Sequence, residues 1–144
     1  LTFSDPAVVT HFKEAINEVV AEGVDLLFCN EEELKIWADS ENFEQACSKM
    51  TEVAKQFVIT RGSNGAMLFD GKDFISIAPN KVAAINTNGA GDMFAGAFLY
   101  CLSQGITHQL GGEFASAAAA KVVTQYGPRL SADEYRGLVK TFFD

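Results

Sequence analysis

The stretch Asn86-Thr87-Asn88-Gly89-Ala90-Gly91-Asp92-Met93-Phe94-Ala95-Gly96-Ala97-Phe98-Leu99 decides how this chain is read. It is a loop of small residues, Asn86 to Gly91, running directly into an apolar helix expected over Asp92 to Leu102. The first turn of a helix carries N–H groups without intrahelical partners, and the helix dipole is positive there. With Gly89, Ala90 and Gly91 in front of it, an anion can approach that backbone closely. Asp92 stands at the mouth of the same helix. A carboxylate in that place can take a hydroxyl proton while backbone N–H groups hold developing phosphoryl charge, which is what phosphoryl transfer to an alcohol requires. A bare Gly-Ala-Gly-Asp reads equally well as a turn with Asp92 as N-cap, so the flanking sequence has to decide. Phe94, Phe98, Leu99 and Leu102 form a helical stripe expected in the core, and Ala95, Gly96 and Ala97 allow close packing on a sheet.

The alternation of elements around this stretch predicts an α/β layered fold with a mostly parallel sheet. Asp5 to Glu22 reads as an amphipathic helix started by Ser4-Asp5-Pro6. Asp25 to Cys29 is a short apolar run suited to a buried parallel strand. Helices are expected from Asn30 through Trp37 and from Phe43 to Ala54. Phe57 to Thr60 is the next strand. Ala66–Phe69 and Phe74–Ile77 flank Asp70-Gly71-Lys72-Asp73 as a hairpin, and Val82 to Ile85 is a further candidate strand. An Ala-rich helix should run from His108 to Gln125, stopped at Gly127-Pro128, with a last helix over Ala132 to Phe142. No linker, repeat or charge tract divides the 144 residues, so they read as one domain-sized segment.

Composition narrows the class. Hydrophobic residues make up 48% of the chain, enough for a sizeable core. No apolar run has the length of a membrane span, and no signal-peptide pattern is evident. A net charge of −8 argues against nucleic-acid or anionic-membrane partners, which need clustered Lys and Arg. A nucleotide remains compatible, because backbone N–H groups and Mg²⁺ can hold phosphates in an acidic protein. Cys29, Cys47 and Cys101 are odd in number and widely spaced, neither a zinc set nor a disulfide framework, and fit reduced thiols of a cytoplasmic protein. Cys29 reads as core. His11 and His108 lack ligand-spaced partners and read as surface or helix-end residues. Trp37 reads as a packing residue.

Two weaker motifs lie upstream. Asn30-Glu31-Glu32-Glu33 follows a strand, and by itself is a helix N-cap with favourable first-turn acids. Thr60-Arg61-Gly62-Ser63-Asn64-Gly65 follows another strand, and by itself is a tight turn with Arg61 an exposed side chain. With the Asn86–Leu99 run, however, they stand in the order and approximate spacing of the PfkB, or ribokinase-like, kinases. The Asn86–Leu99 run resembles the C-terminal signature of that family across all its positions.

That resemblance implies the C-terminal part of a ribokinase-like three-layer α/β/α fold, whose N-terminal substrate and lid half would lie outside these residues. It implies a kinase using Mg·ATP, with Asp92 as base and Gly89, Ala90 and Gly91 as anion hole. Asn30 and Glu33 would act through water on Mg²⁺ and the phosphates. Thr60, Gly62 and Gly65 would line the ATP phosphates and ribose. Ser116, on a helix similar to the one walling the adenine pocket, would lie near the base, unless it bonds back to its own helix. The chain looks most like the adenosine kinase branch, so a nucleoside acceptor is expected, with a sugar as alternative. It departs from the usual pattern at Asn86, where many members carry Asp at a K⁺ site, which puts K⁺ activation in question.

Overall fold

The computed structural model describes all 144 residues, which divide into two compact units: Leu1–Arg61 with Ala66–Ser76, and Gly62–Gly65 with Ile77–Asp144. In the first unit Asp5 starts helix α1 (Pro6–His11), its carboxylate accepting from the Ala7 N–H at 2.7 Å, with Pro6 pre-set for the first turn. The single helix expected over Asp5–Glu22 is two. Helix α2 (Lys13–Ala21) begins after Phe12, whose φ of −117° and ψ of 23° leave the helical region. Thr10 explains the break: its hydroxyl donates back to the Pro6 carbonyl, a bond that bends helices.

Strand β1 (Val24–Asn30) follows, then α3 (Glu31–Ala38), α4 (Phe43–Met50) and β2 (Ala54–Thr60). Helix α4 stops four residues before the expected Ala54, because Ala54 is already paired with Val24 in the β1–β2 ladder. These strands are parallel, in a register that sets Leu27 beside Phe57 and Asn30 beside Thr60. Strands β3 (Ala66–Phe69) and β4 (Phe74–Ile77) extend the sheet in the order β1-β2-β3-β4, with β3 antiparallel to β2. The expected hairpin is thus present, its turn tied by Asp70 Oδ1, which accepts from the N–H groups of Lys72 and Asp73. On the other side of β1, Thr2 bridges Phe28 in parallel, and the Phe3 N–H donates to the Phe28 carbonyl.

Leu27, Phe57, Ile59 and Leu34 are wholly buried between this sheet and its helices. Each such side chain contributes roughly 1.5–3 kcal/mol of burial. Trp37 is buried as expected, its indole N–H donating to Asn17 Oδ1 at 2.9 Å.

The second unit holds α5 (Ala90–Ser103), α6 (His108–Val123) and α7 (Ala132–Phe143). Helix α5 packs on α6 where Gly111 leaves room: a Cβ there would stand 3.1 Å from Cys101 Cβ. Phe94, Ala97, Phe98 and Cys101 form the buried face of α5, but Leu99 is 48% exposed. Leu99 falls outside that face because it stands two residues from both Ala97 and Cys101, roughly on the opposite side of the helix. Phe114 on α6 anchors α7 through Tyr135, Phe142 and Phe143, with ring centroids 4.9–5.9 Å apart. Val82–Ile85 is not a strand. Instead the N–H groups of Ile85 and Asn86 both donate to the Val123 carbonyl at the end of α6, at 2.7 and 3.1 Å. No helix is long and apolar enough to cross a membrane.

Candidate active site

The expected site residues fall in both units. In the first, Asn30 caps α3 in a reciprocal capping box. Its side-chain oxygen accepts from the Glu33 N–H at 2.8 Å, and its backbone N–H donates to Glu33 Oε2 at 2.9 Å. Its side-chain amide donates to Glu33 Oε1 at 3.0 Å, so both carboxylate oxygens face Asn30. Glu33 is the one buried charged residue of the core, 4% exposed. Burial pushes its carboxyl above the ordinary range, against the pull of the Asn30 backbone bond. The N-cap geometry expected of this motif is therefore present, and it fixes the carboxylate as well as the helix start. The parallel register brings Thr60 beside Asn30 at the ends of β2 and β1.

Arg61 is not the exposed side chain the sequence suggested. Its guanidinium lies 4.0 Å from the centroid of Phe43, and its Nε donates to Glu31 Oε2 at 2.9 Å. Neither partner was flagged by sequence, since Phe43 and Glu31 come from separate helices.

In the second unit Gly62–Asn64 forms a single 3₁₀ turn, with the Gly65 N–H donating to the Gly62 carbonyl. Gly65 has φ +81°, and the space a Cβ would fill is taken by backbone of Ile77 and Pro79, so only glycine fits.

The Asn86–Asp92 loop ends in Gly89, the N-cap of α5, at φ +80° and with no side-chain cap. The helix begins two residues earlier than expected, so Ala90 and Gly91 belong to its first turn. The Ala90 N–H is already committed to the Thr87 carbonyl at 3.3 Å, while Met93 donates to Gly89 at 2.8 Å. Helix geometry leaves the N–H groups of Gly91 and Asp92 without intrahelical acceptors. Of the three residues expected to form an anion hole, Gly91 therefore keeps an N–H without an intrahelical acceptor, as does the neighbouring Asp92. Around Gly91 the space where a Cβ would stand is open, whereas at Gly89 it is occupied by Pro128. Asp92 is exposed in the same first turn. A cavity of about 770 Å³ opens beside it, walled by Met93, Gly96, Pro128, Leu130 and Tyr135, a size typical of small-molecule sites. The Asn86 amide oxygen accepts from the Asn88 N–H at 2.9 Å.

Ser116 does not bond back to its own helix. Its hydroxyl accepts from Asn80 Nδ2 at 3.0 Å, tying α6 to the segment after β4. Asn80 carried no sequence signal, because its partner lies 36 positions away. No group of three or more His, Cys, Asp or Glu side chains gathers to hold a metal ion.

A pattern for the pfkB family carbohydrate kinases matches residues 1–134. The chain belongs to the PfkB family. Its ribokinase-like fold agrees with a probable sugar kinase from Rhizobium etli CFN 42, superposing with a TM-score of 0.90 at 28% identity over 97% of this chain and 43% of that one. Fructoselysine 6-kinase of Shigella flexneri is 39% identical over 70 residues, 49% of this chain and 27% of that protein. Adenosine kinase of Schizosaccharomyces pombe is 29% identical over 120 residues, 73% of this chain and 35% of that protein. The chain therefore spans well under half the length of these PfkB relatives. Both curated relatives are kinases, acting on different acceptors.

Proposed function

We propose that this chain is the nucleotide-binding and catalytic segment of an ATP-dependent phosphotransferase that moves the γ-phosphoryl group to a primary hydroxyl of a nucleoside or sugar. The observation that carries the reading is the start of α5: an uncapped helix terminus with open N–H groups at Gly91 and Asp92, and the exposed Asp92 carboxylate in the same turn.

Asp92 accepts the proton of the acceptor hydroxyl as that oxygen attacks in line. The Gly91 and Asp92 N–H groups, with the positive end of the helix dipole behind them, hold the phosphoryl oxygens as negative charge spreads over them. Thr60, Gly62 and Gly65 lie along the nucleotide phosphates and ribose, where the open space beside Gly62 lets the backbone approach and Gly65 lets the turn pack on Ile77 and Pro79. Ser116, joined to Asn80, sits near the base.

Mg²⁺ bound with ATP would neutralise phosphate charge, with Asn30 and Glu33 ordering its waters. The donors present fit that role through water rather than as a cage. No carboxylate cluster exists for direct ligation, and both Glu33 oxygens already accept from Asn30 while keeping lone pairs for water. Asn86 offers one neutral carbonyl oxygen toward a monovalent cation, a weaker donor than a carboxylate, so K⁺ dependence should be slight.

We favour a nucleoside of the adenosine type as acceptor, with a hexose or pentose as the alternative. The acidic net charge of −8 argues against nucleic-acid partners, and three buried thiols fit a reducing, cytoplasmic setting. The deciding experiment follows ATP consumption by the full-length protein against a panel of nucleosides and sugars, with Mg²⁺ and with or without K⁺. Turnover with one acceptor supports the reading and names the branch. Nucleotide binding without turnover on any acceptor would instead mark a nucleotide-binding module.

A further inference from the structure

We infer that Arg61 is a positioning residue that latches the end of β2, and with it the entry to the Gly62 turn, to the first turn of α3. The parallel register sets Asn30 and Thr60 side by side. The next residue on each strand then makes the latch: Glu31 opens α3, and Arg61 reaches it through Nε at 2.9 Å.

The Glu31 carboxylate is gripped on both sides, since Lys35 Nζ lies 3.2 Å from its other oxygen. The guanidinium also lies over Phe43 at 4.0 Å from the ring centroid. Only 26% of the Arg61 side chain and 24% of the Glu31 side chain are exposed, so the pair is less screened than a surface ion pair. The Arg61 hydrogen bond is also the chief influence holding the Glu31 carboxyl below its usual range, against the effect of burial. A planar guanidinium can lie flat on Phe43 and still present Nε to a carboxylate; an ammonium cannot do both.

Asn30 and Glu33 are locked together by the capping box, and Glu31 lies between them in sequence. Arg61 therefore ties the metal-ordering pair to the residue that leads into the glycine turn. The start of α3 and the Thr60–Arg61 end of β2 are thereby held in register by a side chain whose contacts are Glu31 and Phe43. This inference rests on the phosphotransferase reading.

The test uses the full-length protein with Arg61→Lys, Glu31→Gln and the double variant. Mg·ATP dissociation constants come from calorimetry, KM for Mg·ATP and for the acceptor from turnover, and melting temperatures are recorded alongside. Each single change should weaken Mg·ATP binding about tenfold, the scale of one charged hydrogen bond, with the acceptor KM unmoved. The double variant should bind no worse than either single one. Variants that melt earlier yet bind Mg·ATP like wild type would overturn the proposal, reducing Arg61 to a stabilising contact. Strictly additive losses would also overturn it, since the two residues would then act separately. A wild-type protein that binds no Mg·ATP would instead remove the phosphotransferase reading, and the latch with it.

Discussion

Pro128 occupies the space beside Gly89 where any other residue would carry its Cβ, with the proline Cα and Cβ each 2.8 Å from that point and the carbonyl oxygen nearer still. Gly89 is also at φ +80°, where a side chain is strained whatever the space. Gly89→Ala should therefore destabilise the protein by about 2 kcal/mol or more, combining left-handed strain with displacement of the Pro128 loop. Urea unfolding checks the stability, and the same variant should lose turnover. Wild-type stability would mean that the loop moves aside at no cost.

Gly91, two residues on, behaves oppositely. Its Cβ direction is open, so Gly91→Val should fold with near wild-type stability. It should nonetheless slow catalysis at least a hundredfold, the scale seen when one oxyanion donor is removed. Equal stability loss at both glycines would contradict the assignment of one to structure and the other to phosphate approach.

Asp92→Asn in the full-length protein should lower kcat by a factor of 10² to 10⁴, about the contribution of one general base. Calorimetric affinity for Mg·ATP should stay within a few-fold of wild type. Near-normal turnover would remove Asp92 as the base.

Glu33 predicts a pH effect whose sign is set by burial. Its carboxyl is raised in the folded state, so the native protein holds this proton more tightly than the unfolded chain. Its contribution to stability is then fully present below the ordinary glutamate range and is lost as pH rises through the raised value. The difference in stability between wild type and Glu33→Gln should move in favour of the variant over that interval, read from urea titrations at stepped pH. The same variant should shift the Mg²⁺ dependence of turnover more than the acceptor KM. A pH-independent difference would mean that the carboxyl is not raised.

Cys29, Cys47 and Cys101 are all buried, and burial raises each thiol, Cys47 and Cys101 to about 11 and Cys29 well above its usual value. None should react with iodoacetamide at pH 8 in the native protein, because the thiolate is the nucleophile. All three should label once the protein is unfolded. Peptide mass spectrometry distinguishes the sites, and rapid native labelling at any one would show local opening there.

What could be read from sequence was whatever local spacing controls. The Phe94 and Phe98 core positions of α5, the Asp5-Pro6 start of α1, the β1 and β2 runs and the Asp70–Asp73 turn all follow from neighbours within a few residues. The misses share one cause. Ala54 leaves its helix because a strand residue thirty positions earlier claims its backbone. Val82–Ile85 has the composition of a strand but finds its acceptor in the last turn of α6. Leu99 faces outward because α6 packs against a different side of the helix. At the site, the small residues and Asp92 were evident as chemistry, but not the wall at Pro128, the Asn80–Ser116 bond or the Arg61–Glu31 pair. Each of those depends on residues brought together only by tertiary packing.

The Gly89–Pro128 contact also orders events in time. A chain emerging N-terminus first completes β1, α3, β2 and the Arg61–Glu31 pair from residues made early. The Gly89 loop, by contrast, waits for a wall that lies 39 positions downstream. A nascent chain arrested before Pro128 leaves the ribosome would have its glycine loop, with the Thr87–Ala90 and Asn86–Asn88 bonds inside it, but not the Pro128 wall. The Gly89 turn would thus gain its Pro128 wall only after the strands that carry the Asn30 and Thr60 motifs are already made.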